Sequence, residues 1–311
     1  MNRSITTWGL AALLLAIPAM SLQAAEKPLK VVATVSSLGE LVKAVGAEHV
    51  DVHVIVPPRL NPHYVQPKPS DVLKVKRADL FVYTGLHLEL WLGPLMDAVG
   101  EPDVMPGGQK ALDMSQGIQI LEVPHEATTR AEGEMYMHGN PHYWLDPRNA
   151  KILGKAIVEK LREFHPEHEA AFQTNLDRFL AQLDQKITEW QVQVAPYKGR
   201  ELVAYHNEWP YFTQFTGFAM REFLEPKPGI PPTPRQLHFI EGYIQENRIP
   251  AIVKAGHEPK EAAHEVAKRT SVPMVVLCHT VGELPECSDY FKMFDHNITQ
   301  LTGVLAQGAQ Q

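Results

Sequence analysis

An apolar side chain recurs every three or four residues between Pro166 and Pro196, and this spacing constrains the fold more than any other feature of the chain. The positions are Phe172, Leu176, Phe179, Leu183, Ile187, Trp190 and Val194. Such a stripe predicts one long amphipathic helix, because residues three and four apart lie on the same helical face. A helix of about 28 residues is about 40 Å long, enough to run along two packed lobes as a rigid support. A coiled coil is the alternative, but the α/β patterns on both sides favour packing against lobes.

Apolar strands alternate with helices both before and after this stripe. The predicted strands are VVATV, VDVHVIVP, DLFVYTG and a short one near KALDMS in the first half, and RELVAYH, IPAIVKA and VPMVVLC in the second. This order predicts an α/β fold of two similar lobes with mainly parallel sheets covered by helices. The expected boundaries are 26–147 for the N-terminal metal-binding lobe, 148–196 for the linking helical segment and 197–311 for the C-terminal metal-binding lobe.

Two helix starts are predicted from capping residues. Ser37 and Glu40 have the spacing of a capping box for a helix that ends at Gly46. Ser70 is the predicted N-cap of the helix in SDVLKVKRA.

The N-terminal segment has the features of an export signal. Arg3 is followed by an apolar run and then by small residues at Ala24 and Ala25, which predicts a signal peptide over residues 1–25. The apolar run is shorter than the roughly 20 residues that a membrane-spanning helix needs. There is no cysteine near the predicted cleavage site, so we expect an exported protein without a lipid anchor.

Charge and cysteine content narrow the partners and the compartment. The formal net charge of −7 does not favour nucleic acid or an acidic membrane surface as a partner. Cys278 and Cys287 are the two cysteines, and an oxidising compartment favours a disulfide between them. Two buried thiols, or a metal-binding Cys278, are the alternatives.

The chain contains 15 histidines, so most should have ordinary roles. His165, His168, His264 and His296 have polar neighbours and are predicted to be solvated surface residues. Four others follow predicted strands or lie in the loops beyond them: His63, His142, His206 and His279. Ligands of open α/β sheets bind at the carboxyl ends of the strands. Four imidazoles that converge there would form a nitrogen site of the kind that zinc prefers.

The sequence Asn-Pro-His-Tyr occurs twice, and its proline explains how a ligand could be held in place. Pro62 precedes His63 and Pro141 precedes His142. Proline restricts its own backbone and that of the residue before it, so both loops should be ordered before a metal arrives. Asp146 is predicted either to accept a hydrogen bond from an imidazole or to cap the next helix.

These motifs resemble those of the periplasmic substrate-binding proteins of zinc and manganese ABC transporters, the cluster A-I or zinc-uptake type. The matching stretches are NPHYVQPKPSD, NPHYWLDP, AYHNEWPYF and EPKPGIPPTPRQL. The resemblance implies two four-stranded lobes joined by a rigid helix, with metal bound between them. It also implies an ABC permease as the membrane partner and a ligand role for His63, His142 and His206.

The fourth ligand is where the chain departs from the family pattern. Many relatives have an aspartate after the last apolar strand, where this chain reads LCHTVG, and His279 is the nearest candidate. His257 and water are the alternatives. Many relatives also have an acid at the stretch that here reads AIVKAGHEP, where Lys254 stands instead. His125 and His138 lie in a loop that is predicted to hand metal to the site.

The resulting prediction is a periplasmic, monomeric zinc carrier rather than an enzyme. Zinc is expected over manganese because imidazole ligands suit zinc and manganese prefers carboxylate oxygens. A manganese or iron carrier of the same family is the first alternative, and a surface adhesin is another. A secreted zinc hydrolase, with Glu208 or Glu258 as its base, is the alternative of another class, but the chain has no His-Glu-x-x-His, Gly-x-Ser-x-Gly or P-loop motif.

Overall fold

The computed structural model describes residues 27–124, 137–227 and 229–308. The predicted signal peptide and His125 lie outside these residues. In the described part of the chain, no helix combines the length and the apolar character that crossing a membrane would require.

The N-terminal lobe is built on a parallel sheet with the strand order β2-β1-β3-β4. Its elements in chain order are β1 (Leu29–Ala33), α1 (Ser36–Gly46), β2 (Val50–Val54), α2 (Pro69–Lys76), β3 (Leu80–Tyr83), α3 (Leu92–Val99) and β4 (Ala111–Asp113). The central strand β1 reads LKVVA and is buried except at Lys30, because helices cover both faces of the sheet.

The C-terminal lobe repeats this arrangement, with the strand order β6-β5-β7-β8 and parallel pairing throughout. Its elements are β5 (Glu201–Ala204), α6 (Pro210–Thr216), β6 (Ala219–Phe223), α7 (Pro234–Asn247), β7 (Ile252–Ala255), α8 (Glu261–Thr270), β8 (Met274–Leu277) and α9 (Tyr290–Gly308). The strand β6 was not predicted from the sequence. It is a half-buried edge strand that contains the exposed Arg221, so it lacks the apolar run that marks the other strands.

Two helices connect the lobes: α4 (Ala150–Phe164) and α5 (Glu169–Val194). The helix α5 contains 26 residues and carries the predicted stripe, of which all members are buried except the partly buried Ile187. Near its end, the indole of Trp190 donates a hydrogen bond of 2.7 Å to Asp295 on α9. The predicted fold of two parallel α/β lobes and one long helix is therefore confirmed, and the exact lobe boundaries remain a prediction.

The largest hydrophobic core is continuous between the lobes. It joins Leu38 on α1 and Leu183 on α5 to Phe294 on α9, all fully buried. Each lobe has a smaller core on the far face of its sheet, around Phe81 in the N-terminal lobe and Ile252 in the C-terminal lobe. Because one core serves both lobes, the two sheets are held at a defined distance from each other.

Both predicted helix caps are wrong. The helix α1 begins at Ser36 with Val35 as its N-cap, and no side chain caps it. The hydroxyl of Ser37 instead lies 2.9 Å from that of Thr280 in the other lobe. The helix α2 begins at Pro69, whose fixed φ suits the first helical position, so Lys68 rather than Ser70 is the N-cap.

Candidate metal centre

The four predicted histidines lie at the carboxyl ends of the two sheets, which face each other across the cleft between the lobes. His63 lies in the loop after β2 and His142 in the loop before α4, while His206 and His279 follow β5 and β8. The ring centroid of His63 lies 5.3 Å from that of His142 and 6.0 Å from that of His206. The ligand atoms of these three side chains all lie within 4.8 Å of one another. Two loops of one lobe and one of the other thus contribute imidazoles to a single group.

The two Asn-Pro-His segments form similar turns. The Asn61 side-chain oxygen accepts a hydrogen bond of 2.9 Å from the backbone N–H of His63. The Asn140 oxygen accepts one of 3.1 Å from the backbone N–H of His142. Asparagine often bonds to the backbone two residues on, and the proline between favours the extended start of the turn. The repeated motif therefore fixes the backbone of each histidine from its own neighbours.

Each of the three imidazoles has a hydrogen-bond acceptor at its Nδ1 atom. The acceptors are the Leu88 carbonyl oxygen at 3.0 Å for His63, Asn140 Oδ1 at 2.9 Å for His142 and Glu225 Oε2 at 2.5 Å for His206. An acceptor at Nδ1 requires the proton to be there, so Nε2 carries the lone pair in the neutral ring. Metal-binding histidines usually have this arrangement, since it fixes the tautomer and the ring orientation.

The sequence suggested two roles for Asp146, and the structure selects the cap. Asp146 Oδ1 accepts a hydrogen bond of 2.9 Å from the backbone N–H of Arg148, and its carboxylate also binds the Arg148 guanidinium. Asn140 is the residue that orients His142. Neither Asn140 nor Glu225 was predicted from the sequence as an imidazole acceptor, although Asn140 belongs to the repeated Asn-Pro-His-Tyr motif.

Burial keeps the imidazoles of His63 and His142 neutral. His63 and His142 are 2% and 1% exposed. Burial, with a smaller contribution from the neighbouring His206, lowers the pKa of His63 to about 3. Burial and the neighbouring His279 lower the pKa of His142 well below its usual value. Neutral imidazole is the form that binds metal, so no proton has to leave these rings first.

His279 lies at the edge of this group rather than inside it. Its ring centroid is 5.3 Å from that of His142 and 5.1 Å from that of His257. Its ligand atoms group with those of His142 and Glu208, and also with those of His257 and Glu283. It is buried, and neither ring nitrogen has a hydrogen-bond partner among the described residues. His279 is thus within reach of the three-histidine group through His142.

Glu283 holds the two loops that carry His279 and His257. Its carboxylate accepts hydrogen bonds of 2.6 Å from the backbone N–H groups of both histidines. It also accepts one of 2.9 Å from Nδ1 of His257. Nothing in the sequence marked Glu283, because the contact joins the loop after β7 to the loop after β8. His257 is oriented by this carboxylate and does not belong to the group of His63, His142 and His206.

Buried carboxylates and one lysine surround the C-terminal side of the cleft. Burial raises the pKa values of Glu208 and Glu258, with further contributions from other nearby carboxylates. Lys254 is 4% exposed, its ammonium donates to the Ala255 carbonyl oxygen, and burial lowers its pKa. The positive charge of Lys254 partly balances the charge of these carboxylates. Many relatives are expected to have an acid at this position.

The structure pairs Cys278 with Cys287 in a disulfide. The Cys278 backbone is held further by Asn297, whose side chain exchanges hydrogen bonds of 2.7 and 2.8 Å with it. In this form Cys278 has no thiolate to offer a metal, and its role is to fix the loop that carries His279.

Of the two histidines expected to hand metal to the site, only His138 falls within the described residues. Its ring lies 4.6 Å from that of His87 in an edge-to-face arrangement. A role in metal transfer remains a prediction.

Comparison with known proteins gives the family. The model of a family described as zinc-uptake complex component A, periplasmic, matches residues 31–304. The chain belongs to this family. It is 23% identical over 293 residues to the manganese ABC transporter substrate-binding lipoprotein PsaA of Streptococcus mitis, covering 91% of each chain. It is 28% identical over 285 residues to the manganese-binding lipoprotein MntA of Halalkalibacterium halodurans, covering 90% of this chain and 89% of that one.

The fold is similar to that of a solved structure from the same family. The crystal structure of ZnuA superposes with a TM-score of 0.75 at 21% identity, over 89% of this chain and 98% of that one. The family consists of substrate-binding proteins of metal ABC transporters, so this chain is a transport protein and not an enzyme. The family name refers to zinc, whereas both relatives are named for manganese and described as lipoproteins.

Proposed function

We propose that this protein captures Zn²⁺ with high affinity between its lobes and delivers it to an ABC permease in the membrane. The proposed ligands are His63, His142, His206 and His279. The observation that supports this most directly is the acceptor at Nδ1 of His63, His142 and His206, because it directs three Nε2 lone pairs for metal binding. The predicted export signal and the family both support a periplasmic location. We further propose a monomer without a lipid anchor, in contrast to the lipoproteins among its relatives.

The choice of zinc follows from the donor atoms. A site of three or four imidazoles suits zinc, while manganese prefers carboxylate and water oxygens. Glu208 is a source of an oxygen ligand beside the site, since its carboxylate groups with His142 and His279. A manganese carrier would therefore need Glu208 as a ligand, and this residue separates the two alternatives.

The first experiment measures the affinity of the metal-free protein for Zn²⁺ and Mn²⁺ by competition with chelators. We expect zinc to bind about 100-fold more tightly than manganese, or better, because sites with nitrogen donors have a higher affinity for Zn²⁺ than for Mn²⁺. One equivalent of tightly bound zinc per chain supports the proposal. Equal affinities, or tighter binding of manganese, would contradict it and favour the manganese carrier.

The fourth ligand is tested with His279→Ala beside Glu208→Gln. If His279 completes the site, its removal should weaken zinc binding about tenfold or more, as expected for a lost ligand whose place water takes. Glu208→Gln keeps the shape of the side chain and should change zinc affinity less than His279→Ala. A larger loss in Glu208→Gln would assign the fourth position to the carboxylate. Unchanged affinity in both variants would leave a site of three histidines and water.

A further inference from the structure

A second group of metal-binding side chains lies at the turn between α4 and α5. The two helices are connected by His165, Pro166, Glu167 and His168. The last three of these residues form one turn of 3-10 helix. Side chains three residues apart in such a turn lie above one another. The rings of His165 and His168 are accordingly stacked, with centroids 5.5 Å apart and an angle of 16° between their planes.

The donor atoms of this turn are spaced for a metal ion. Glu167 Oε1 lies 2.6 Å from His165 Nδ1 and 3.9 Å from His168 Nε2, and the three side chains offer ligand atoms within 4.8 Å of one another. Tetrahedral zinc with ligands at about 2.1 Å requires donors about 3.4 Å apart. Small side-chain rotations would therefore bring two nitrogens and one oxygen to the required distances.

Neighbouring rings hold His168 in position. The ring of His49 stacks on that of His168, with centroids 3.8 Å apart, and Phe172 contacts both rings by its edge or face. The side chains of His165 and His168 are 15% and 23% exposed, so they are less solvated than the sequence predicted. The exposed fraction of Glu167 is 46%, which leaves an open side for an ion and its water ligands. A hydrogen bond to Glu167 within the turn would need only one histidine, whereas the rings of three histidines, His49, His165 and His168, lie together here.

This group is separate from the site between the lobes. The helix α4 has 15 residues and begins close to the loop of His142, while the histidine turn follows its other end. At 1.5 Å per residue, the length of α4 is about 22 Å. His49 likewise precedes β2, whereas His63 follows it. One ion therefore cannot contact both groups.

We propose that His165, Glu167 and His168 form a second binding site for a divalent transition-metal ion, and zinc is the ion we expect there. Two imidazoles and one carboxylate suit zinc, and would also accept nickel or copper(II). Because the site has only three protein ligands and is open to water, it binds zinc more weakly than the cleft. The proposal does not depend on the function proposed for the cleft.

The test is equilibrium dialysis of the purified chain against increasing Zn²⁺, with bound metal counted by mass spectrometry. The wild-type protein should bind one tight equivalent and a second that is about 100-fold or more weaker. The double variant His165→Ala/His168→Ala should lose only the weaker equivalent, whereas His142→Ala should keep the weaker equivalent and weaken the tight one about 100-fold or more. His264→Ala, at an exposed position on α8, should change neither, and His125→Ala is the control for zinc binding by His125.

Glu167→Gln provides a second measurement that keeps both imidazoles and the turn. It should raise the dissociation constant of the weaker equivalent about threefold or more, since a charged oxygen ligand is replaced by an amide. The proposal is overturned if wild-type protein binds no second equivalent, or if that equivalent persists unchanged in the double variant. Should the double variant fail to fold, unchanged weaker binding in Glu167→Gln overturns it as well. If wild-type protein binds the weaker equivalent but no tight one, the proposed function is contradicted and the second site is still supported.

Discussion

Replacing His142 by alanine is expected to lower zinc affinity about 100-fold or more, because it removes a proposed ligand that the turn of Asn140 holds in place before the metal arrives. His142 also lies between the other candidates, with its ring 5.3 Å from those of both His63 and His279. Its loss therefore separates His279 from the remaining pair of histidines. Competition against a chelator of known zinc affinity measures the change.

His264→Ala is the matched control, since it removes an exposed imidazole far in sequence from the cleft loops. It should bind zinc as the wild-type protein does. Circular dichroism of both variants checks that each is folded. Wild-type zinc affinity in folded His142→Ala would remove this residue from the site and with it the central ligand of the proposed function.

The variant His63→Gln is expected to make the metal-free protein less sensitive to acid than the wild type. Burial lowers the pKa of His63 to about 3 in the folded protein. In the unfolded chain a histidine protonates near 6.5, so between about pH 6.5 and 3 the unfolded state binds a proton that the folded state does not. The free energy of unfolding therefore falls as the pH falls through this window. For one such histidine the loss between about pH 6.5 and 4.5 is about 2 kcal/mol.

Urea unfolding of both proteins at these two pH values gives the difference directly. The raised pKa values of Glu208 and Glu258 stabilise the folded state in acid, which is the opposite effect. Both carboxylates are present in wild-type and variant, so their contributions cancel in the comparison. Equal acid sensitivity of the two proteins would mean that His63 is solvated in the metal-free state and that the cleft opens without metal.

The fold could be predicted from the sequence wherever the chemistry was local. Most residues of the α5 stripe and of the apolar strands such as β1 and β3 are buried, so an apolar sequence is what their surroundings require. The strand β6 escaped prediction because an edge strand is half solvated and carries polar residues such as Arg221. The cap at Ser37 was wrong because its hydroxyl bonds to Thr280, more than 200 residues away in the chain.

The sequence by itself determined which imidazoles stand at strand ends and how two of them are held. The turns at Asn61 and Asn140 depend only on neighbouring residues, so the repeated Asn-Pro-His motif carries that information directly. Only the tertiary structure decided which acids serve the histidines, since Glu225 reaches His206 and Glu283 reaches His257 and His279 from separate loops. It also gathered His49 with His165 and His168 at the far end of α4. Such contacts join residues distant in the chain, and their distances depend on how helices and sheets pack rather than on any local pattern.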